Sequence, residues 1–261
     1  MSVLKELVED IEKEIVHSFK PKDTLPNEIF DKKNGSYHLK SEIRTKLIEI
    51  ADKFVEYIGV DMFIYDIILT GSLANYNWSK FSDVDLHVLI DLDEFDKEES
   101  SDSLSYHKII KDFFDGKKNL WNSSHDIKIK GYEVELYVQD VDEPHLSTGV
   151  YSVLNDEWNV EPKKLESAFD LDERKIIEKS QYYMDLIDKL KSQSDDGEDV
   201  TSSVDELKAK LKQFRQSGLE NGGEYSYENL TFKLLRRNKY IEKLLQIKKD
   251  IQNRKLSLSE Q

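Results

Sequence analysis

One short stretch, residues 71–90, constrains the fold of this chain more than any other part of its sequence. Its second half, Asp83–Ile90, alternates between polar and apolar residues, which predicts a strand with one buried face. Successive side chains of a strand face opposite sides, so Asp83, Asp85 and His87 share the face that is not buried. The strand therefore carries two carboxylates on one side and core residues on the other.

The Cα atoms of Asp83 and Asp85 lie about 7 Å apart along a strand, so their carboxylate oxygens can converge on one cation. Without a cation they repel each other, and Mg²⁺ is commonly held by one or two carboxylates together with substrate phosphates. The Gly71-Ser72 turn before the strand suits phosphate, because glycine permits close backbone approach and turn N–H groups donate hydrogen bonds to anions. A short helix over Leu73–Tyr76 is expected to strengthen this anion site.

The order Gly71-Ser72, then Asp83-Val84-Asp85-Leu86, resembles the DNA polymerase β-like nucleotidyltransferase superfamily. The family pattern also has a third acidic residue on a neighbouring strand. Glu135, which lies between two apolar residues after a glycine turn, is the best match. Glu133 lies on the same face of that strand and stays open as the alternative. The resemblance covers residues 65–140.

The resemblance implies transfer of a nucleoside monophosphate from a nucleoside triphosphate such as ATP to an acceptor hydroxyl, with pyrophosphate leaving. It implies that Asp83 and Asp85 hold two Mg²⁺ ions, with Mn²⁺ as an alternative, and that Glu135 holds the ion nearer the acceptor. Gly71 and Ser72 are expected to seat the terminal phosphates. The alternative is a nucleotide-binding module without turnover, acting as a regulator or decoy.

Composition limits the partners of this chain. Its 261 residues carry a net charge of −15, which opposes binding to nucleic acid except through a local basic patch. No apolar run reaches bilayer length and there is no cysteine, so we expect a cytoplasmic protein without a membrane partner. The acceptor stays open between a tRNA or other RNA 3′ end, a protein hydroxyl and a cationic small molecule.

The order of elements predicts an α+β fold: a small mixed or antiparallel sheet flanked by helices, then a C-terminal helical domain. We expect a catalytic domain over residues 1–160, including the N-terminal helices, and a helical domain over residues 161–261. Apolar periodicity predicts helices over residues 3–19, 39–58, 106–114, 176–190, 204–214 and 229–256, and strands over 67–69, 83–90, 127–129 and 132–138.

Three segments lack clear periodicity. Residues 91–103 are densely acidic and predict a solvated loop, and residues 192–203 predict a mobile linker. Residues 144–158 are interpreted as a connection, with a nucleotide pocket lined by Tyr151 or Trp158 as the alternative.

The last predicted helix is basic in an acidic chain. Most of its cations are interpreted as a solvated face. Lys233, Arg236 and Arg237 are the exceptions, because a C-terminal helical domain supplies cations to the triphosphate in the enzymes that this chain resembles, and arginine can bind phosphate bidentately.

Overall fold

The computed structural model describes residues 2–95, 103–145, 147–164 and 172–258. The chain divides into two compact units. Residues 21–169 form the sheet unit, and residues 1–20 together with 170–261 form the helical unit.

The sheet unit contains a six-stranded sheet and a separate hairpin. The elements of this unit are β1 (Phe30–Lys33), β2 (Ser36–Leu39), α2 (Ser41–Ile58), β3 (Asp66–Thr70), β4 (Val84–Ile90), α3 (Ser103–Ser124), β5 (Lys128–Ile129), β6 (Tyr132–Asp140), β7 (Val150–Ser152) and β8 (Glu157–Val160), with α1 (Ser2–His17) preceding them in the helical unit. The sheet has the order β5-β6-β4-β3-β7-β8, and its neighbouring strands are antiparallel except for the parallel pair β4 and β6.

One face of the sheet is buried by α2. This helix places Ile43, Leu47, Ile50 and Phe54 on one side at helical spacing, where they join the apolar face of β3 and β4 in a single core cluster. That core fixes which face of β4 is inward. Asp85, the acidic residue of β4, therefore lies on the opposite face.

Two strand pairs were not predicted from the sequence. Residues 144–158 were interpreted as a connection, but most of β7 and the start of β8 lie within this range and extend the sheet beyond β3. The hairpin of β1 and β2 closes around Asn34 and Gly35, which both have positive φ, as a two-residue turn requires. Strands of three or four residues contain too few positions for an alternating pattern to be distinguished from chance.

The other helix of this unit, α3, is longer than the predicted helix over 106–114. Within the predicted range Ile109 and Phe113 are exposed, whereas Phe114 is buried. The acidic segment that precedes α3 lies mostly outside the described residues; its first residues, Leu92–Phe95, form a 3-10 turn.

The helical unit is built from α1, α4 (Glu173–Asp195), α5 (Thr201–Gly222), α6 (Tyr227–Arg237) and α7 (Tyr240–Leu256). The predicted domain boundary at residue 160 placed the first helix in the catalytic domain, together with the sheet. In the structure α1 instead contacts α4 and α6. An amphipathic stripe shows that a helix packs against something, but it does not identify the neighbour.

Two predictions about the helical unit are corrected. The mobile linker over 192–203 is wrong for most of its length, because residues up to Asp195 belong to α4 and residues from Thr201 belong to α5. Its acidic side chains are partnered: Asp199 accepts a hydrogen bond from Lys255. The single last helix over 229–256 is divided into α6 and α7 at Lys239, which has a φ of +62°.

The predicted α+β class is confirmed. Within the described ranges, no helix is long and apolar enough to cross a membrane.

Candidate active site

The parallel pairing of β4 with β6 sets Asp85 directly beside Glu135. Neighbouring strands lie about 4.8 Å apart, so these two carboxylates belong to adjacent backbone positions on one face of the sheet. On its other side, Asp85 pairs with Thr70 of β3, the residue before Gly71. Asp85 is therefore flanked by Glu135 and by the end of the strand that leads into the Gly-Ser turn.

Gly71 lies against the carboxylate of Asp85. A Cβ atom added at Gly71 would be 1.8 Å from Oδ2 of Asp85, and the φ of this glycine is +72°. Both the conformation and the available space therefore require glycine here. The backbone of the turn therefore packs against the Asp85 carboxylate.

The loop between β3 and β4 is held by its own serine hydroxyls. Ser72 Oγ donates to Ser82 Oγ at 2.7 Å, and the same Ser82 oxygen accepts the backbone N–H of Ser79 at 2.9 Å. The short helix expected over Leu73–Tyr76 is wrong, since these residues form turns. The N–H groups of this loop are therefore arranged by turns rather than by a helix.

The third candidate carboxylate is distinguished by the register of the sheet. Glu133, two residues before Glu135, has a 65% exposed side chain and lies 3.8 Å from Lys128 of β5. Glu135 is half-buried beside Asp85. The structure therefore brings Glu135 to the aspartate strand, while Glu133 faces the edge strand.

Asp83 precedes β4 and is half-buried. Across the part of the chain that the structure describes, no three acidic, histidine or cysteine side chains are gathered so that they could hold one metal ion. The donor set nevertheless fits Mg²⁺, because Asp83, Asp85 and Glu135 offer only carboxylate oxygens and two of them occupy adjacent strand positions. Binding an ion requires these side chains to converge.

A layer of hydrogen-bonded and stacked side chains continues along the same face. The Tyr137 hydroxyl donates to Glu135 Oε2, and the Tyr137 ring stacks on His87 with centroids 4.6 Å apart. His87 Nδ1 lies 2.7 Å from Gln139 Oε1. Burial lowers the pKa of His87 to about 4, so this imidazole is neutral at neutral pH.

Tyr137 was not predicted from the sequence. A signal was present, because Glu135, Tyr137 and Gln139 occupy every second position and share one face of their strand, as Asp83, Asp85 and His87 do. A tyrosine on a strand is usually a packing residue, so only the hydrogen bond to Glu135 distinguishes it.

Tyr151 and Trp158, the alternative nucleotide contacts, are used by the core. Tyr151 is completely buried and its hydroxyl donates to Asp156 at 2.7 Å. Trp158 stacks on Phe30 with centroids 5.6 Å apart and donates from Nε1 to the Tyr37 carbonyl. Neither ring is presented to a base.

The three cations singled out in the helical unit differ in their surroundings. Arg237 donates to Ser18 Oγ at 2.7 Å and lies over the Phe19 ring, so it ties α6 to the end of α1. Lys233 is half-buried, and no carboxylate of the described residues forms an ion pair or hydrogen bond with it.

The surroundings of Lys233 carry excess positive charge. Burial lowers the pKa of Lys233, and nearby Arg237, Arg215 and Arg236 lower it further, whereas Glu224 raises it. Arg215 also lies over the Phe232 ring of α6. We call Arg215, Lys233 and Arg236 the cation cluster.

A small mixed sheet that sets a strand-borne aspartate between a Gly-Ser turn and a second acidic strand is the arrangement of a nucleotidyltransferase. A family model described as a nucleotidyltransferase domain matches residues 46–194, which is more than half of the chain. The chain belongs to this family, and the resemblance noted from the sequence is confirmed. No curated protein and no solved structure matches the chain.

Proposed function

We propose that this chain transfers a nucleoside monophosphate from a nucleoside triphosphate to an acceptor hydroxyl. Its membership of the nucleotidyltransferase family supports the general activity. The observation that carries the proposal is the position of Asp85, which lies beside Glu135 and against the backbone of Gly71. The Asp85 carboxylate, proposed to bind metal, therefore lies against the Gly71-Ser72 turn, proposed to bind phosphate.

In this proposal Asp83 and Asp85 would hold two Mg²⁺ ions, and Glu135 would share the ion that lowers the pKa of the acceptor hydroxyl. The bound ions would also stabilise the attacking and leaving oxygens of an in-line displacement. A bond forms between the acceptor oxygen and the α-phosphorus while the bond from that phosphorus to the bridging oxygen of pyrophosphate breaks. The acceptor proton leaves to water.

The Gly71-Ser72 turn seats the terminal phosphates in this mechanism. Gly71 lets backbone N–H groups come close to a charged group because it has no side chain. The Ser72 hydroxyl takes part by exchanging its hydrogen bond with Ser82 for one with a phosphate oxygen.

The cation cluster is proposed to bind phosphate groups, with Lys233 and Arg236 as the main contacts. A half-buried ammonium surrounded by guanidinium groups is electrostatically costly, and an anion relieves that cost. Arg237, also predicted from the sequence to bind phosphate, has a structural partner in Ser18 and contributes positive potential rather than a direct contact.

The charge of the chain favours a protein hydroxyl or a cationic small molecule over RNA as the acceptor. The basic residues of α7 do not form a continuous surface for a nucleic-acid backbone, because several of them pair with aspartates of α4, α5 and the connection between these helices. These residues are Lys243, Lys248 and Lys255, paired with Asp188, Asp205 and Asp199 respectively.

The test is to incubate the full chain with Mg²⁺, a cell lysate and each of the four nucleoside triphosphates, labelled at the α-phosphate. Transfer to an acceptor that wild type performs and the Asp83→Asn/Asp85→Asn variant does not supports the proposal. Equal labelling by both proteins contradicts it. Metal-dependent nucleotide binding by calorimetry, without pyrophosphate release across a broad set of acceptors, indicates the non-catalytic module instead.

A further inference from the structure

The Tyr137 hydroxyl donates a hydrogen bond to Glu135, one of the proposed metal ligands. We propose that Tyr137 is a positioning residue: its hydroxyl fixes one oxygen of Glu135 so that the other oxygen faces the cation. This inference rests on the proposed function, because it assigns a role toward the proposed metal site.

The strand register determines from which side the Tyr137 hydroxyl reaches Glu135. Tyr137 pairs with His87, whereas Glu135 pairs with Asp85. Since β4 and β6 are parallel, Tyr137 lies one strand step beyond Glu135 on the side away from Asp83. Its hydroxyl therefore approaches Glu135 from the side away from Asp83.

The ring that carries this hydroxyl is held by two neighbouring side chains. It stacks on His87 at an interplanar angle of 22°, and Lys118 Nζ lies 5.2 Å from its centroid. His87 is held by Gln139, and Lys118 is held by Asp115 at 2.8 Å. A donor on a fixed ring defines the orientation of its acceptor, whereas a donor on a mobile side chain follows it.

The physical benefit concerns Glu135, whose side chain has three rotatable bonds and is only half-buried. A glutamate that must turn toward a cation loses rotamer freedom on binding, and a hydrogen bond already in place reduces that loss. Ligating carboxylates are commonly hydrogen-bonded by outer partners, and losing such a partner costs about 10- to 100-fold in metal affinity.

The experiment compares Tyr137→Phe with wild type. This change removes the hydroxyl and keeps the ring that stacks on His87. Tyr132→Phe is the matched control, because Tyr132 lies on the same strand and its hydroxyl makes no hydrogen bond with the described residues. Binding of Mn²⁺ alone to each full-length protein is measured by electron paramagnetic resonance, and Asp85→Asn identifies the binding that belongs to the site.

We expect Tyr137→Phe to weaken Asp85-dependent Mn²⁺ binding about 10- to 100-fold, and Tyr132→Phe to leave it unchanged. We also expect Tyr137→Phe to lower kcat for nucleotidyl transfer with little effect on the KM for the nucleotide, and to melt within about 2 °C of wild type.

Asp85-dependent Mn²⁺ binding that is unchanged or tighter in Tyr137→Phe overturns the positioning role and leaves the proposed function standing. Wild type that shows no Asp85-dependent binding overturns the proposed metal site and the role of Tyr137 with it.

Discussion

Replacing Gly71 with alanine should abolish activity while leaving the protein folded. The new Cβ would be 1.8 Å from Oδ2 of Asp85, and ordinary van der Waals contact begins at 3.4 Å, so the carboxylate has to retreat by about 1.6 Å. A displacement of 1 Å at a reacting centre costs about 100-fold in rate, so we expect a loss of at least about 100-fold.

Backbone strain adds a separate cost to stability. A residue with a side chain at a φ of +72° costs about 1–2 kcal/mol, which lowers the melting temperature by a few degrees in a chain of this size. Gly59→Ala is the matched control. Gly59 has nearly the same φ, +73°, and the nearest atom to its added Cβ is a backbone oxygen at 3.9 Å.

The assay measures nucleotidyl transfer to the labelled acceptor, and thermal unfolding is recorded for both variants. We expect similar melting temperatures for Gly71→Ala and Gly59→Ala, and loss of transfer only for Gly71→Ala. Full activity of Gly71→Ala would contradict this prediction, because the site would then tolerate displacement of the Asp85 carboxylate. Equal loss of activity in both variants would show that strain alone, rather than the contact with Asp85, is responsible.

Three further predictions use the same structure. Glu135→Gln should abolish metal-dependent transfer in the labelling assay while Glu133→Gln retains most of it; the reverse result would make Glu133 the third ligand. Asn122→Ala removes a side chain that bonds both the N–H and the carbonyl of Leu136 on β6, so chemical unfolding should show a loss of about 1–3 kcal/mol, whereas exposed Asn119→Ala should be neutral. Lys233→Met should raise stability at pH 7, because it removes a half-buried ammonium group that lies among guanidinium groups. Because the folded-state pKa of Lys233 is lowered, the unfolded chain binds more protons, and wild-type stability should rise toward that of Lys233→Met as pH increases toward 10.5. A stability difference between wild type and Lys233→Met that does not change with pH would contradict a lowered pKa of Lys233 in the folded state.

Local pattern was sufficient for the centre of the fold. Alternation along Asp83–Ile90 depends only on the geometry of a strand, so it predicted correctly that Val84, Leu86 and Val88 are buried. The same holds for α2, whose apolar residues recur at helical spacing and form the core against the sheet. These elements are long enough for their periodicity to exceed chance.

Short elements and partners were not predictable in this way. β7 has three residues, and its Tyr151 was open to interpretation as a nucleotide contact until packing against Phe30 identified it as core. The acidic run near Asp199 was interpreted as a linker because its basic partner, Lys255, lies 56 residues away in the chain. Charge density measured along the sequence does not include partners supplied by another helix.

Residue spacing and strand geometry are local properties, so the sequence alone predicted two carboxylates on one strand after a Gly-Ser turn. That Glu135 rather than Glu133 lies beside Asp85 depends on the parallel register of β4 and β6, which is set when the two strands pair in the folded chain. The same is true of Gly71: its turn can be read from the sequence, but the carboxylate that excludes any side chain comes from the next strand.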